Sequence, residues 1–399
     1  MSSPMQPKPT SAFASVPKEK IFFPNLDGLR FISFFLVFLY HTYMTFFNNI
    51  KDESPDAFDY VQRLFQHGNL GVNFFFVLSG FLITYLLIKE REYTGRIHVP
   101  NFYVRRILRI WPLFYLCVFI GFVVFPIIKK FTGQTPHEIA HPAYYMVFAN
   151  NFDFMHSWPE KPDATLLSVL WSVAVEEQFY LTWPVILSII PLRWYKFVFP
   201  AIMIFSLTFR AIHSGFNNEE YAYRYFHTFS LIGDMALGGL LAYLCSRENK
   251  FRNFITNLNR LQIAMIYVGA IAVVLFKSDL FDQNAFTVTI ERLVIAFFFG
   301  MIILEQNYAK RSFFKMGSFK IMSKLGIYTY GLYCLHLLGF LITDVAITKA
   351  GFNKTSFAVA LSGSILALLI SIVIALASYH LYEKWFLRLK DKFAFIVKK

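Results

Sequence analysis

The feature that most constrains this chain is a succession of apolar segments, each close to the roughly 20 residues that an α-helix needs to cross a bilayer. Of its 399 residues, 56% are apolar and only 16% are charged, which excludes an ordinary soluble domain. Because a chain inside a bilayer must satisfy its backbone hydrogen bonds internally, the sequence predicts an all-α polytopic membrane protein. About ten transmembrane helices are predicted, numbered in chain order over residues 29–47, 70–88, 108–128, 167–190, 196–213, 228–245, 261–276, 286–304, 325–345 and 356–380.

The distribution of Lys and Arg predicts the orientation of these helices. The basic residues are concentrated in alternate connections, beginning with the N-terminal segment and ending with the C-terminal one. By the positive-inside rule, both termini are expected in the cytoplasm. The formal net charge of +13 is dispersed over short connections and is not gathered on one module, so it indicates membrane orientation and no nucleic-acid partner.

The predicted organisation is a disordered cytoplasmic leader over 1–20, one transmembrane domain over 21–382 and a basic cytoplasmic tail over 383–399. The leader is rich in Ser, Pro and Ala and lacks the apolar run of a cleaved signal peptide. Residues 143–154 are too few and too polar to span, so a re-entrant or interfacial segment is expected there. The three cysteines lie in apolar runs without metal-ligand spacing, so neither a disulfide nor a metal site is predicted.

Helix 1 carries two ionisable residues, Arg30 and His41. They are eleven positions apart, which places them about 20° out of phase and roughly 16 Å apart along one face of an α-helix. Ionisable residues inside an apolar helix are costly and therefore indicate function. The alternative is that Arg30 reaches the cytoplasmic headgroups and that His41 is a hydrogen-bonded packing residue.

A basic segment precedes helix 3. If residues 102–111 are helical, Arg105, Arg106 and Arg109 lie on one side of the helix, where their like charges repel unless an anion joins them. The planar guanidinium group suits phosphate oxygens, which favours a phosphorylated cytoplasmic ligand. Simple anchoring to lipid phosphates is the alternative.

Helix 4 carries a polar stripe. Its members, Ser168, Ser172, Glu176 and Tyr180, recur every four residues and so share one face that lipid would not tolerate. A buried carboxylate can orient an imidazole or stay neutral as a hydrogen-bond donor. A purely structural hydrogen bond between helices is the other interpretation of Glu176.

Polar residues in three further helices leave structural and functional interpretations open. In helix 2, small or polar residues at Asn73, Gly80 and Thr84 favour close helix packing over binding. In helix 8, Glu291 and Arg292 are expected to form an interfacial pair. In helix 9, Thr329, Tyr333 and His336 share one face. They could line a polar path or be hydrogen-bonded core residues, and the sequence favours neither interpretation.

Four motifs in a fixed order resemble the bacterial acyltransferase-3 family of inner-membrane O-acyltransferases. The resemblance runs from about Pro24 to Tyr382, and four motifs in order are more specific than any one. The motifs are Leu-Asp-Gly-Leu-Arg at 26–30 with His41 after it, Gly-Val-Asn-Phe-Phe-Phe-Val-Leu-Ser-Gly-Phe-Leu at 71–82, Phe-Tyr-Val-Arg-Arg-Ile-Leu-Arg-Ile-Trp-Pro at 102–112, and Leu-Trp-Ser-Val-Ala-Val-Glu-Glu-Gln-Phe-Tyr at 170–180.

The resemblance implies an acyl-CoA donor, acetyl-CoA in our prediction, that enters from the cytoplasm. It also implies a hydroxyl acceptor on an extracytoplasmic or lipid-linked glycan, a multi-pass location in the bacterial inner membrane and no permanently bound cofactor. The family's key positions fall on Arg30, His41, Arg106, Arg109 and Glu176. The substrate-binding candidates are Tyr180, Tyr330, Tyr333 and His336.

The chain departs from the family pattern at three places. Asn73 stands where the helix 2 motif usually has an acid, which removes a candidate charge. The usual Glu-Lys/Arg-Pro after the last helix reads Glu383-Lys384-Trp385, so that helix is expected to continue. The arginine commonly found near the acid of helix 6 is missing beside Asp234.

The resulting hypothesis makes His41 the general base that takes a proton from the acceptor hydroxyl as this attacks the thioester carbonyl. Glu176 is expected to orient the imidazole, while Arg106 and Arg109, with Arg30 deeper, hold the CoA phosphates. The alternative is a proton-coupled or lipid-linked-substrate transporter, because intramembrane Arg, Glu and His also mark proton relays.

Overall fold

The computed structural model describes residues 23–393, and within that range it contains helices and no β-strand. The predicted leader over 1–20 and the end of the predicted tail lie outside the described residues. Ten long helices form the body of the protein. They are α1 (Pro24–Thr45), α2 (Gly71–Thr94), α3 (Val99–Phe119), α4 (Leu170–Ile189), α5 (Tyr195–Ile212), α6 (Thr228–Cys245), α7 (Arg260–Leu275), α8 (Ala285–Tyr308), α9 (Thr329–Lys349) and α10 (Phe357–Ser378).

Each predicted segment coincides with one long helix, which confirms the all-α fold class. The predicted starts of α1 and α3 are too late, by five and nine residues. Both helices begin with a proline in the first turn, where the ring is compatible with helical geometry, and both begin earlier than the apolar run does. In α3 the additional turns contain Arg105 and Arg106, so hydropathy alone places the start of the helix too late.

Eight helices within residues 23–393 are long and apolar enough to cross a membrane. A ninth is added if Lys250–Thr256 and α7, which meet at a bend of 89°, count as one span. The remaining predicted helix, α4, does not meet this criterion, because Glu176, Glu177 and Gln178 interrupt its apolar run. The count of ten and the cytoplasmic location of both termini therefore stay predictions.

Shorter helices fill the connections. Residues 143–154 contain two helices of five and eight residues, too short to span, where a re-entrant or interfacial segment was expected. The short helices are Phe47–Ile50, Pro55–Phe65, Gly68–Leu70, Pro142–Met146, Asn150–Ser157, Thr165–Val169, Leu192–Trp194, Asn218–Phe226, Lys250–Thr256, Lys277–Phe281, Met316–Ser318 and Lys320–Ile327.

Two of the long helices continue through a π-helical turn, a local widening often found near functional sites. The helix α3 continues through Ile120–Val124 into Phe125–Phe131. The helix α10 continues through Tyr379–Glu383 into Lys384–Lys390, followed by the short turn Asp391–Phe393. The expectation that this helix continues past Glu383 is thus confirmed, and Glu383 is buried within it.

Close backbone contact holds the centre of the bundle together. The helix α6 packs along both α2 and α5. A Cβ atom at Gly80 of α2 would lie 2.1 Å from the carbonyl oxygen of Met235, and one at Gly238 of α6 would lie 2.2 Å from that of Val77. Only glycine fits at such crossings, so the close packing predicted for this part of helix 2 is confirmed.

Candidate functional site

Two imidazole rings meet in the interior of the bundle. His41 of α1 places its Nδ1 atom 2.9 Å from the Nε2 atom of His336 of α9, with ring centroids 4.9 Å apart. His336 has no exposed surface, and its Nδ1 atom lies 2.8 Å from the carbonyl oxygen of Tyr333. The rings of Phe34 and Phe340 pack beside the pair and restrict its rotation.

These contacts assign the tautomers of both rings. A carbonyl oxygen only accepts, so the Nδ1 atom of His336 carries the hydrogen, and the Nε2 atom of neutral His336 is an acceptor. The Nδ1–H of His41 therefore donates to it, which leaves the Nε2 atom of His41 with a free lone pair. This is the form of imidazole that takes a proton from a hydroxyl.

Glu176 does not have the role predicted for it. The expectation was that its carboxylate orients His41, but the hydrogen-bond partner of the His41 Nδ1 atom is His336. The Glu176 carboxylate instead accepts hydrogen bonds from the hydroxyls of Ser79 on α2 and Tyr180 on α4. The sequence could not distinguish these arrangements, because helical periodicity gives the face of a residue and not its partner on another helix.

The remaining stripe of α4 also joins neighbouring helices. The Ser172 hydroxyl lies 2.6 Å from the hydroxyl of Tyr333 on α9. Ser168, at the start of the stripe, donates to the backbone oxygen of Thr165 at 2.6 Å and makes only this local contact. The prediction that the stripe faces other helices is therefore confirmed for its inner members.

The arginines predicted to act together divide into two groups. The guanidinium of Arg106 lies 5.1 Å from the ring centroid of Tyr180 and is close enough to Arg109 for their charges to interact. Arg30 interacts electrostatically with Arg109 and forms an ion pair of 2.5 Å with Asp27.

Arg105 lies apart from this cluster, which corrects the expectation that three guanidinium groups crowd together. Its Nη2 atom is 3.1 Å from the Glu90 carboxylate, and its Nη1 atom is 2.9 Å from the backbone oxygen of Phe393. Arg105 is therefore already neutralised.

Arg106 and Arg109 are compensated only at a distance, since Glu176 and Glu383 interact with them electrostatically without direct contact. Within residues 23–393, neither forms a salt bridge, and the buried Nε atom of Arg106 has no hydrogen-bond partner. A buried donor without a partner costs about 1–3 kcal/mol, more when it is charged. An anion bound here would satisfy this donor, which favours the interpretation of a phosphate site over simple packing.

A line of polar side chains joins the arginines to the histidines, and we call it the polar column. It connects helices α1, α3, α4 and α9 through the contacts described above, with Glu176 and Ser172 following one another by one turn on the same face of α4. Tyr330 is outside it, because its hydroxyl donates to the backbone oxygen of Ile110 at 2.8 Å. The members of the column are Arg106, Tyr180, Glu176, Ser172, Tyr333, His336 and His41.

A cavity of about 240 Å³ lies at the end of the bundle opposite Arg30, Arg106 and Arg109. Sequence reasoning placed none of its residues there. Asn73, interpreted as a packing residue, lines it, as do Glu291 and Arg292. Arg210, at the end of α5, also lines it, although no sequence signal singled it out.

The interpretation of Glu291 and Arg292 as an interfacial pair is wrong. Arg292 is buried, and its Nη2 atom lies 2.8 Å from the Asp234 carboxylate. Glu291 pairs with Arg210 at 3.0 Å and with Lys277 at 3.2 Å. The arginine missing beside Asp234 in the sequence is thus supplied by α8.

Comparison with known proteins gives a family match and several relatives. A family model described as an acyltransferase domain matches residues 23–376. The protein SACOL0978 of Staphylococcus aureus strain COL, which carries a provisional O-acetyltransferase name, is 30% identical over 57% of this chain and 35% of its own length. The O-acetyltransferase OatA of Staphylococcus aureus strain NCTC 8325 is 26% identical over 79% of this chain and 50% of its own length.

This chain therefore spans between about a third and a half of the length of those relatives. No solved structure matches it significantly.

Proposed function

The chain belongs to the acyltransferase-3 family, and from that premise we propose that it is a membrane O-acyltransferase. The donor in this proposal is acetyl-CoA bound from the cytoplasm, and the acceptor is a hydroxyl of an extracytoplasmic or lipid-linked glycan. The names of the relatives support the transfer of an acetyl group to oxygen. The location that follows is the bacterial cytoplasmic membrane.

The observation that carries this proposal is the pairing of His41 with His336. The Nε2 atom of His41 accepts the proton of the acceptor hydroxyl while that oxygen attacks the thioester carbonyl carbon. A C–O bond forms, the C–S bond breaks, and the proton leaves His41 with the CoA thiolate as the thiol. His336 is a positioning residue in this scheme, since it fixes the tautomer of His41 and does not touch the substrate.

The cluster of Arg106, Arg109 and Arg30 is the proposed seat of the CoA phosphates. Guanidinium groups bind phosphate oxygens through two parallel hydrogen bonds, and the two arginines without carboxylate partners have the most to gain. Arg30 contributes less because Asp27 already pairs with it. Binding energy from these remote groups positions the thioester for reaction.

The distance between the arginine cluster and His41 fits one donor that reaches both. Arg30 and His41 are about 16 Å apart along the axis of α1. In CoA the phosphates and the sulfur are separated by the long pantetheine arm, so one molecule can occupy both ends. Glu176 holds the hydroxyl of Tyr180, whose ring lies under the Arg106 guanidinium, so its proposed role is to support the donor site.

A proton-coupled or lipid-linked-substrate transporter is the second candidate, and the polar column favours it as well, because relays of this kind line transport paths. The two functions differ in their need for CoA.

The experiment that separates them uses the purified full chain in lipid nanodiscs with radiolabelled acetyl-CoA and a glycan extract from the source cell. Saturable CoA binding and label in the glycan are expected. A protein that binds no CoA would contradict the proposal.

A further inference from the structure

The cavity at the end of the bundle predicted to face the outside is built from separate parts of the chain. It is enclosed by α1, α2, α5 and α8, by the turn at 66–70 and by the short helix Asn218–Phe226. Its volume of about 240 Å³ is just below the range of about 300–1,000 Å³ typical of sites for drug-sized ligands. This leaves room for a single ring of a sugar and not for an extended chain.

An aromatic platform forms one wall. The rings of Tyr221 and Tyr225, which both line the cavity, stack with centroids 5.4 Å apart and planes 10° apart. Trp158, outside the lining, stacks on Tyr221 at 5.5 Å and 29° and supports it from behind the wall, while 37% of the Tyr221 surface is accessible. Flat aromatic faces pack against the C–H faces of sugar rings, while tyrosine hydroxyls supply polar contacts at the rim.

Two amide side chains in the wall have unused hydrogen-bonding capacity. Asn73 is 3% exposed and forms no hydrogen bond within residues 23–393. Asn69 donates through Nδ2 to the Tyr225 hydroxyl at 3.0 Å, but its buried Oδ1 atom accepts from no group in the described part of the chain. A carboxamide offers two donors and an acceptor, which is the set that vicinal hydroxyls of a sugar can satisfy.

The charges in the wall are already compensated. Lys277 pairs with Asp282 at 3.1 Å as well as with Glu291, and Arg210 and Arg292 have the carboxylate partners described above. Arg224 donates to the backbone oxygens of His213 and Gly215 and interacts electrostatically with Glu291, Glu220 and Asp282. Within residues 23–393 each Lys and Arg of this wall therefore has a carboxylate paired with it or near it, so the chemistry favours an uncharged ligand.

The cavity lies beside His41, the proposed base, although His41 is not among its lining residues. Tyr40 lines it and precedes His41 in the chain, with ring centroids 5.3 Å apart. On another side, Tyr225 packs against Trp171 at 5.4 Å, and the next residue, Ser172, binds Tyr333 of the polar column. A ligand in the cavity is therefore close to the residues that would deprotonate its hydroxyl.

We propose that this cavity is the acceptor subsite and that it binds one uncharged sugar ring against Tyr221 and Tyr225, hydrogen-bonded by Asn69 and Asn73. The inference rests on the proposed function and deepens it, since it names the class of acceptor and the residues that hold it.

The test compares two tyrosines of one short helix. Tyr221→Ala removes one of the two rings that line the wall, whereas Tyr223→Ala changes a residue that stacks on His213 and does not line the cavity. Asn73→Ala is the second site variant. Each full-length protein in nanodiscs is titrated by ligand-observed NMR with methyl glucoside and methyl glucuronide, and separately with acetyl-CoA, whose binding also reports that the variant is folded.

Wild-type protein and Tyr223→Ala are expected to bind methyl glucoside equally and methyl glucuronide less well. Tyr221→Ala and Asn73→Ala are expected to weaken the glucoside by about tenfold or more while the acetyl-CoA affinity is unchanged. Glucoside binding that both site variants retain would overturn the subsite, and stronger binding of the glucuronide would overturn its preference for an uncharged ring.

The two proposals can fail separately. A wild-type protein that binds the glucoside in this cavity but never transfers an acetyl group keeps the subsite and rejects the acyltransferase. Acetyl transfer to glycan that Tyr221→Ala and Asn73→Ala leave intact keeps the enzyme and rejects the subsite.

Discussion

The Nδ1 atom of His41 lies 2.9 Å from the Nε2 atom of His336, and this contact between a half-buried and a fully buried imidazole defines the chemistry of the bundle interior. One ring is anchored by a backbone oxygen at 2.8 Å, so the order of donors and acceptors along the pair is fixed. The Nε2 atom of His41 is the last atom in this series of hydrogen-bonding groups. A base with a fixed tautomer results, without a carboxylate beside it.

Replacement of His336 is expected to lower kcat while leaving the KM for acetyl-CoA unchanged, because the change loosens His41 and touches no donor contact. For His336→Ala we predict a loss of about 10- to 100-fold, the size seen when groups that orient a functional histidine are removed. His336→Gln, whose amide oxygen can accept the Nδ1–H of His41, is expected to recover part of it. Steady-state kinetics with His156→Ala, an exposed histidine, as the control would decide; a rise in KM alone would contradict the positioning role.

The donor end is tested by the double variant Arg106→Ala and Arg109→Ala. Each charged hydrogen bond contributes about 1.5–3 kcal/mol, so CoA is expected to bind at least tenfold more weakly. Arg105→Ala is the matched control, since that residue lies on the same helix but pairs with Glu90. Calorimetric titration with CoA measures both, and an equal loss of affinity in the control would place the phosphates elsewhere.

The contact between α2 and α6 depends on the absence of a side chain at position 80. Gly80→Ala would force the Cβ atom to 2.1 Å from a backbone oxygen, so the helices must separate, and we expect a loss of about 1–3 kcal/mol in the free energy of unfolding. Gly363→Ala is the control, because its nearest neighbour is the flexible end of Ile347 at 2.9 Å. Equal thermal stability of the two variants in detergent would show that the crossing is not as tight as described.

The connection between α3 and α4 contains an ion pair that titrates in acid. Partial burial acts to raise the pKa of Asp163, but hydrogen bonds from Lys129 and from the His137 amide outweigh it and lower that pKa. A carboxyl whose pKa is lowered on folding stabilises the fold above its unfolded pKa of about 3.9, and this contribution is lost as the pH falls through the folded value.

Asp163→Asn is therefore expected to be less stable than wild type at pH 7, with the difference shrinking below about pH 4. Thermal unfolding of the two proteins across this pH range checks it. A difference that does not change with pH would show that the carboxylate charge is not what stabilises the connection.

Hydropathy and charge were enough to predict the helices, because in a bilayer the period and length of apolar runs leave few choices. They placed the start of α3 too late. The helix contains Arg105, Arg106 and Arg109, and the first two of these precede its apolar run. The polar stripe of α4 was also readable, because a spacing of four residues fixes one face.

The partners of polar groups could not be read from the sequence. Periodicity shows that His336 and Glu176 each face the interior, but which of them reaches His41 depends on the relative rotation of three helices. For the same reason the pairing of Arg292 with Asp234 was missed, as was the place of Asn73 in a cavity wall, since a cavity is formed by residues distant in the chain.

The central claim is that His41 removes the proton of the acceptor, and its most direct test is acetyl transfer by His41→Ala. The measurement is the rate at which label passes from radiolabelled acetyl-CoA to glycan, with the protein in nanodiscs and the affinity for CoA measured in parallel. A general base contributes about 10²- to 10⁴-fold, so a loss of that size with unchanged CoA affinity is predicted. Transfer by the variant at the wild-type rate would contradict the account.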